Sequence, residues 1–124
     1  MANPNVAAAT SVVANNAYVR LSSTSETQVI SNAASSGKIY VIDSIVVANV
    51  DGTNAADITL SLYAAATNTG TATKLAHTIA VPADATLVIA TKDLAITLKE
   101  AQSLYATASA ADDLHVTAYW KEFS

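Results

Sequence analysis

The residues of this chain that could do chemistry are few and lie far apart. Its two histidines, His77 and His115, each sit in a segment of alternating polar and apolar residues, and cysteine is absent. A zinc site takes three or four convergent ligands, and the carboxylates nearest to His115, Asp112 and Asp113, lie in a predicted turn. Without thiols, disulfides, thiolate metal sites and cysteine nucleophiles are excluded. The spacing therefore predicts no metal centre.

The acidic and glycine-containing loops also lack the patterns of known sites. The segment 51–54 (DGTN) looks only faintly like a calcium loop, because the alternating acidic pattern and closing glutamate are missing, so a tight turn is favoured. The three glycines are isolated, which excludes a phosphate-cradling loop. Asp43 lies inside a mostly apolar strand, where a bulge, a strand end or a subunit contact explains it. We expect no catalytic, cofactor-binding or metal-binding residues, and hence no enzyme.

Composition narrows the remaining classes of function. The 124 residues suffice for one domain with its own core, and the net charge of -4 argues against a nucleic-acid or anionic-membrane binder. The N-terminus lacks the basic region of a signal peptide, and no stretch approaches the roughly 18 to 20 apolar residues of a membrane span. Charged residues make up only 13%, well below the share typical of a soluble monomer's surface, so we expect the protein to assemble with neighbours.

From Glu26 onward the pattern is typical of β structure. Runs rich in β-branched residues, or alternating apolar with polar, are separated by turn signals such as Asp51-Gly52 and Pro82. The predicted strands span residues 28–30, 38–49, 58–62, 75–81, 86–90, 94–98, 103–109 and 114–121. About eight short strands at this spacing predict an all-β fold, an antiparallel β-sandwich or jelly roll. Residues 99–108 also have good helix propensity, and a helix there is the alternative.

The alternation within these strands also predicts which side chains form the core. One face of the third and last predicted strands (58–62 and 114–121) is consistently apolar, and we expect it to be buried. The predicted core residues are Ile58, Leu60, Leu62, Leu114, Val116 and Trp120.

The first 25 residues differ from the rest of the chain. Asparagines punctuate Ala, Val, Ser and Thr, and the only charged side chain is Arg20. We therefore divide the chain into an extended N-terminal arm, residues 1–25, and a β-sandwich domain, residues 26–124. We expect the arm to become ordered against a neighbouring subunit by strand addition, with a disordered tail as the alternative. Its expected apolar anchors are Val12, Val13, Tyr18, Val19 and Leu21.

Four segments contain turn and core-strand motifs that recur in other proteins. They are residues 36–60 (SGKIYVIDSIVVANVDGTNAADITL), 79–87 (IAVPADATL, similar to a "VPAGSTL" turn), 98–104 (LKEAQSL, similar to an "L-x-x-G-D-x-L" hairpin) and 112–120 (DDLHVTAYW, similar to a "D-L-x-V-x-x-x-Y/W" closing strand). Over about residues 27–124 the chain resembles the small β-sandwich virion proteins of tailed phages, notably those of marine and cyanobacterial hosts. It departs from their pattern at Asp84 and Ala101, where glycine is usual.

The resemblance implies a structural role in the virion, with assembly in the host cytoplasm. The leading expectation is a capsid decoration (cement) protein that forms a homo-oligomer, a trimer, and binds the major capsid protein or another virion protein. A neck, tail or fibre component is the alternative. A glycan-binding β-sandwich is the more distant one, and it would need an exposed aromatic platform around Tyr119 and Trp120.

Overall fold

A computed structural model describes residues 4–124 of the protein. Within that range no α-helix occurs, and two short 3-10 turns span Val6–Ala8 and Lys92–Leu94. The strands are β1 Val12–Arg20, β2 Thr27–Asn32, β3 Ile39–Asn49, β4 Ala56–Tyr63, β5 Thr73–Val81, β6 Thr86–Thr91, β7 Thr97–Leu98, β8 Gln102–Ala108 and β9 Leu114–Phe123. The first three residues of the predicted arm lie outside the described part.

The strands form two antiparallel sheets that pack into a sandwich. The β1 sheet has the order β1-β9-β3-β6, with β7 also pairing with β3, and the β2 sheet has the order β2-β8-β4-β5. This is the strand order of a jelly roll, in which each half of the chain contributes alternately to both sheets. The predicted fold class is confirmed.

The jelly roll is one long hairpin folded over on itself. The sequence distance between paired residues decreases from the outer pairs to the inner ones. The pairs are Val12 with Phe123, Thr27 with Ala106, Ser44 with Thr91 and finally Leu62 with Thr73. Two further pairings, β3 with β9 and β4 with β8, join the folded hairpin into sheets. Nearly every strand partner is therefore distant in sequence.

Small and β-branched side chains fill the space between the sheets. The predicted core residues Ile58, Leu60, Leu114 and Val116 are completely buried, and Trp120 is buried and stacked on Tyr40 with ring centroids 6.0 Å apart. Alanines at positions 56, 76, 90, 106, 108 and 118 are buried beside them. Leu62 is only half-buried, because it borders a pocket at the open end of the sandwich.

Two buried asparagines connect the sheets at their ends. Asn32, the last residue of β2, donates from Nδ2 to the carbonyl oxygen of Leu98 in the other sheet at 3.1 Å. Asn49, the last residue of β3, donates from Nδ2 to the carbonyl oxygen of Val81 in the other sheet at 2.9 Å. Because a buried amide without partners is costly, these bonds favour one relative position of the sheets.

The local structure differs from the sequence-based expectation in two places. Residues 102–108 form strand β8 rather than the alternative helix, since β8 is hydrogen-bonded between β2 and β4. The predicted strand at 94–98 is reduced to the two residues of β7, because the 3-10 turn ends at Ala95 with a left-handed φ of 50°.

The two turns that depart from the phage pattern keep the backbone conformation of a glycine. Asp84 has a φ of 56° and Ala101 a φ of 58°, both in the left-handed region. This region costs a non-glycine residue about 1 to 2 kcal/mol. Ala101 lacks the polar side chain that makes aspartate more tolerant of it, so its turn carries more strain.

We therefore expect Ala101→Gly to stabilise the protein. Glycine adds conformational entropy to the unfolded chain, but the relief of backbone strain in the folded state outweighs this effect. The free energy of unfolding should therefore rise by about 0.5 to 1 kcal/mol, and Tm by a few degrees. The matched control is Ala80→Gly in strand β5. Ala80 does not have a positive φ, so this substitution should lower the free energy of unfolding by a similar amount. Thermal unfolding followed by circular dichroism measures both, and a lower Tm for Ala101→Gly would contradict the argument.

Candidate interaction surface

The outer face of the β2 sheet is partly covered by the chain's own loop, residues 64–72. The hydroxyl of Ser103 donates to the carbonyl oxygen of Ala65 at 2.7 Å, and that of Ser31 donates to the carbonyl oxygen of Ala66 at 2.6 Å. Ser103 is completely buried as a result, although it lies on the outer side of its strand.

A tyrosine pair and a carboxylate strengthen this cover. Tyr63 and Tyr105 pack edge to face with centroids 5.6 Å apart, and both are buried. The hydroxyl of Tyr63 donates to Glu26 at 2.7 Å, and this hydrogen bond raises the pKa of Tyr63. Asn68 in the loop donates to the same carboxylate at 3.0 Å. This end of the β2 sheet is thus already occupied.

The outer face of the β1 sheet is open and carries a row of side chains across four strands. The register aligns Tyr18 of β1 with Thr117 of β9, Thr117 with Val46 of β3, and Val46 with Val88 of β6. Alternation along a strand places all four on the outer side, because their neighbours in sequence point into the core. Tyr18 is 69% exposed and Val88 57% exposed. We call this row, together with Tyr119, the tyrosine–valine band.

The aromatic end of the band is a packed pair. Tyr119 meets Tyr18 edge to face, with centroids 6.3 Å apart and the ring planes at 71°. The neighbouring Tyr18 side chain raises the pKa of Tyr119. Each ring fixes the position of the other, so less side-chain entropy is lost when a partner covers them.

Charges border the band without entering it. On one side, Lys121 donates to Asp43 at 2.6 Å, and on the other side Arg20 lies opposite His115. Asp43 is the extra residue of a bulge, since the register with β9 shifts between Ile42 and Ser44. A bulge was one of the explanations that the sequence allowed. An uncharged centre with a charged border is the usual composition of a protein–protein interface.

The expected anchor residues of the arm all lie on or next to β1, which pairs along its whole length with β9 of the same chain. Val12 and Val13 are each 53% exposed, and Tyr18 lies in the band. Val19 is half-buried against the core. Leu21 is completely buried and ties β1 to its own domain, because its N–H donates to the carbonyl oxygen of Leu114 at 3.0 Å. The arm boundary and the contact with a neighbour stay proposals, carried by the exposed side chains.

A buried carboxylate holds β1 at the opposite end of the sheet. Glu122 accepts hydrogen bonds from Asn15 Nδ2 at 2.9 Å, Lys38 Nζ at 3.1 Å and Trp120 Nε1 at 3.1 Å. Burial by itself raises the pKa of Glu122, but the three donors outweigh it, so the net pKa is lower than usual. The same contact raises the pKa of Lys38. The ionised cluster thus connects β1, β9 and the start of β3.

The residues singled out for chemistry stay apart. His77 is exposed on β5 and His115 is half-buried on β9, in different sheets. Asp51 closes a tight turn, since its carboxylate accepts the Thr53 N–H at 2.8 Å, a bond that lowers the pKa of Asp51. Across residues 4–124 no three His, Cys, Asp or Glu side chains come together as a metal site. No helix in this range is long and apolar enough to cross a membrane.

Small-molecule and glycan sites find little support in the geometry. A pocket of about 270 Å³ lies at the open end of the sandwich, and uncharged side chains such as Leu62, Thr73 and Gln102 line it. This volume is below the range of about 300 to 1,000 Å³ of typical ligand sites. Trp120 points into the core whereas Tyr119 points outward, so the two cannot form the aromatic platform that a glycan-binding module would need.

Comparison with known proteins shows similarity in fold alone. No protein-family model matches the chain, and no curated protein matches it at the significance required. Its fold is similar to a chain in the acid-stable capsid structure of Helicobacter pylori bacteriophage KHP30, with a TM-score of 0.54 and 8% identity over 94% of this chain and 90% of the other. It is also similar to a chain in the capsid of Ralstonia phage GP4, with a TM-score of 0.51 and 13% identity over 100% and 91%. The shared feature is the jelly-roll fold.

Sequence reasoning did not find the tyrosine–valine band. Its members come from four strands that are not consecutive in the chain, so no local pattern joins Tyr18 to Val88. The available signal was the alternation near the end of the arm, where Val19 and Leu21 alternate with Tyr18 and Arg20. That alternation is typical of a strand with one buried face.

We expect the Glu122 cluster to make the stability depend on pH. Because the folded state lowers the pKa of Glu122 below its ordinary value of 4.5, its contribution is complete above that pH and is lost as the pH falls through the folded pKa. Glu122→Gln should reduce the free energy of unfolding by about 2 kcal/mol at neutral pH, with a smaller difference from wild type at about pH 3.

Thermal unfolding between about pH 3 and pH 7 measures this effect. The control is Asp93→Asn, which removes an exposed carboxylate and should unfold like wild type at each pH. Parallel profiles for wild type and Glu122→Gln would show that the carboxylate does not supply the pH dependence.

Proposed function

We propose that this protein is a virion structural protein of a tailed phage and that it acts as a capsid decoration protein, binding and stabilising the head shell without catalysis. The observation that carries the proposal is the open tyrosine–valine band on the β1 sheet. Tyr18 and Val88, both more than half exposed, mark its two ends. An apolar band of this kind on a chain with only 13% charged residues is suited to contact with other proteins.

Two lines of evidence support a place in the virion. The turns and core strands of residues 27–124 resemble the small β-sandwich proteins of tailed phages, and the fold is similar to chains in two phage capsid structures. At the two positions where the phage pattern usually has glycine, Asp84 and Ala101 adopt the left-handed φ that glycine favours, which supports the resemblance.

The proposed mechanism is burial of area by a rigid module. Each Å² of apolar surface removed from water contributes about 25 cal/mol, and two packed sheets lose little conformational entropy when they dock. We propose that the protein works as a homo-oligomer, a trimer as the phage resemblance implies, with the major capsid protein as its partner. The exposed anchors Val12, Val13 and Tyr18 would lie in contacts with neighbours.

The role of the band in binding to the particle can be tested with one substitution in each sheet. Val88→Asp places a carboxylate in the band, whereas Ile79→Asp makes the same change at an exposed position of β5 in the other sheet, where Ile79 is 42% exposed. Burying an unpaired carboxylate costs several kcal/mol, so Val88→Asp should weaken binding to the particle more than about tenfold. Ile79→Asp should bind like wild type.

The measurement is co-sedimentation of each purified variant with phage particles prepared without the protein. Equal binding of Val88→Asp and Ile79→Asp would remove the band from the contact. No binding of the wild-type protein to any virion component would overturn the proposed function.

Copy number distinguishes the proposed place from the alternative. Quantitative mass spectrometry of purified particles should give a number comparable with that of the major capsid protein if the protein decorates the shell. A few copies confined to one vertex would assign it to the neck or tail.

A further inference from the structure

Within residues 4–124 the sandwich has four edge strands besides the two-residue β7, and three of these four are interrupted. Strands β2, β5 and β6 each lose register with their partner, near Val29, Ile89 and at two places in β5. β5 also contains Thr78 with a φ of 45°. Bulges and irregular backbone make an edge a poor template for another strand, which is how many β proteins avoid edge-to-edge association.

Strand β1 lacks this protection. Its nine residues pair with β9 without a register shift, and it contains no proline, no lysine and one charged residue, Arg20, at its end. A long, regular edge with little charge is a template for pairing with another chain. Val12, Val13 and Tyr18 are exposed along it.

The hydrogen bonds at its two ends show which backbone groups face the open edge. Ser11 and Ser124 exchange two bonds, at 3.1 and 3.0 Å, and the Leu21 N–H donates to Leu114 O at 3.0 Å. In an antiparallel pair such bonded positions alternate, so the odd-numbered residues of β1 bond to β9. The even-numbered residues direct their N–H and C=O groups away from it: Val12, Ala14, Asn16, Tyr18 and Arg20.

The centre of the edge confirms this direction. The backbone N–H of Asn16 donates to Oδ1 of the Asn15 side chain at 2.8 Å rather than to β9. Asn15 is itself fixed through its Nδ2 bond to Glu122. The central donor is therefore satisfied locally while the edge is unpaired, and it becomes available when the Asn15 amide releases it.

We propose that this edge is a self-pairing site, at which β1 of a second copy of the chain adds antiparallel about a two-fold axis through Asn16. This register pairs even residues with even residues: Asn16 meets Asn16 of the second copy, Ala14 meets Tyr18, and Val12 meets Arg20. It is the only arrangement about a two-fold axis at an edge-facing residue that overlaps all nine residues. The β1 sheets of the two copies then form one continuous sheet.

The side chains fit this register on both faces. On the inner side Val13 meets Val19 of the second copy, an apolar pair, and on the outer side the small Ala14 leaves room for Tyr18. Arg20 meets Val12, so no like charges face one another. Cross-strand pairs of this kind stabilise a sheet, whereas like charges directly opposite destabilise it.

The inference rests on the proposed function and deepens it, because it names a second contact between copies of the protein, in addition to the contacts of the proposed homo-oligomer. In a trimer with three-fold symmetry this two-fold contact cannot lie within the ring. It would instead link one oligomer to the next across the shell, with the tyrosine–valine bands of the two copies on the same side of the joined sheet.

Cross-linking tests the register directly, because the chain contains no cysteine. In the proposed pair the two Asn16 Cα atoms lie about 5.5 Å apart, within the range of about 4.4 to 6.8 Å that a disulfide spans. Asn16→Cys should therefore form a covalent dimer under mild oxidation. Thr86→Cys, an exposed position on the opposite edge strand β6, is the control and should cross-link at least about tenfold more slowly. Equal rates for the two variants would overturn the proposal.

A second variant tests the edge without a new bond. Ala14→Pro removes an N–H that faces the open edge and leaves the bonds to β9 in place, whereas Ala14→Ser keeps this donor. Sedimentation equilibrium should show a self-association Kd at least about tenfold weaker for the proline variant than for the serine variant. Equal Kd values would overturn the proposal. These readouts use the free protein, so failure of self-pairing is distinguishable from failure of particle binding.

Discussion

The pairing of β1 with β9 is the interaction on which the rest of the structure depends. It joins the two ends of the described chain, from Val12 with Phe123 to Arg20 with His115, and so closes the long hairpin from which the jelly roll is made. Because the partners are separated by most of the chain, closing this pair carries a large loop-closure entropy. Buried Leu21 at one end and the Glu122 cluster at the other offset that cost.

The same pairing leaves β1 at one edge of its sheet. One side of the strand is fully bonded to β9, and the other carries unpaired backbone groups beside Val12, Val13 and Tyr18. In this domain the edge strands β2, β5 and β6 are bulged and the β2 sheet is partly covered by its own loop, so the regular edge and the open face lie in the β1 sheet. Both the tyrosine–valine band and the proposed self-pairing edge belong to the β1 sheet. This arrangement is suited to a protein that acts by binding other proteins over a large surface.

Small side chains explain how a chain with so few aromatics builds a firm sandwich. Six buried alanines occupy little space between the sheets, and the buried Trp120, stacked on Tyr40, supplies the largest side chain of the core. The buried amides of Asn32 and Asn49 donate hydrogen bonds across the sheets. The resulting rigidity favours binding, because little entropy remains to be lost when the surface is covered.

The amino-acid sequence by itself determined the all-β class, the turns at Asp51 and Pro82, and core residues such as Leu60 and Val116, because alternation and turn chemistry act between near neighbours in the chain. Only the tertiary structure decided that β1 lies in the sheet of its own chain and that Tyr18 and Val88 share one row. These contacts join strands from opposite ends of the sequence, and their energies depend on register and on what covers each face. A local pattern contains neither of these, and so the surface proposed to bind could be found only in the folded chain.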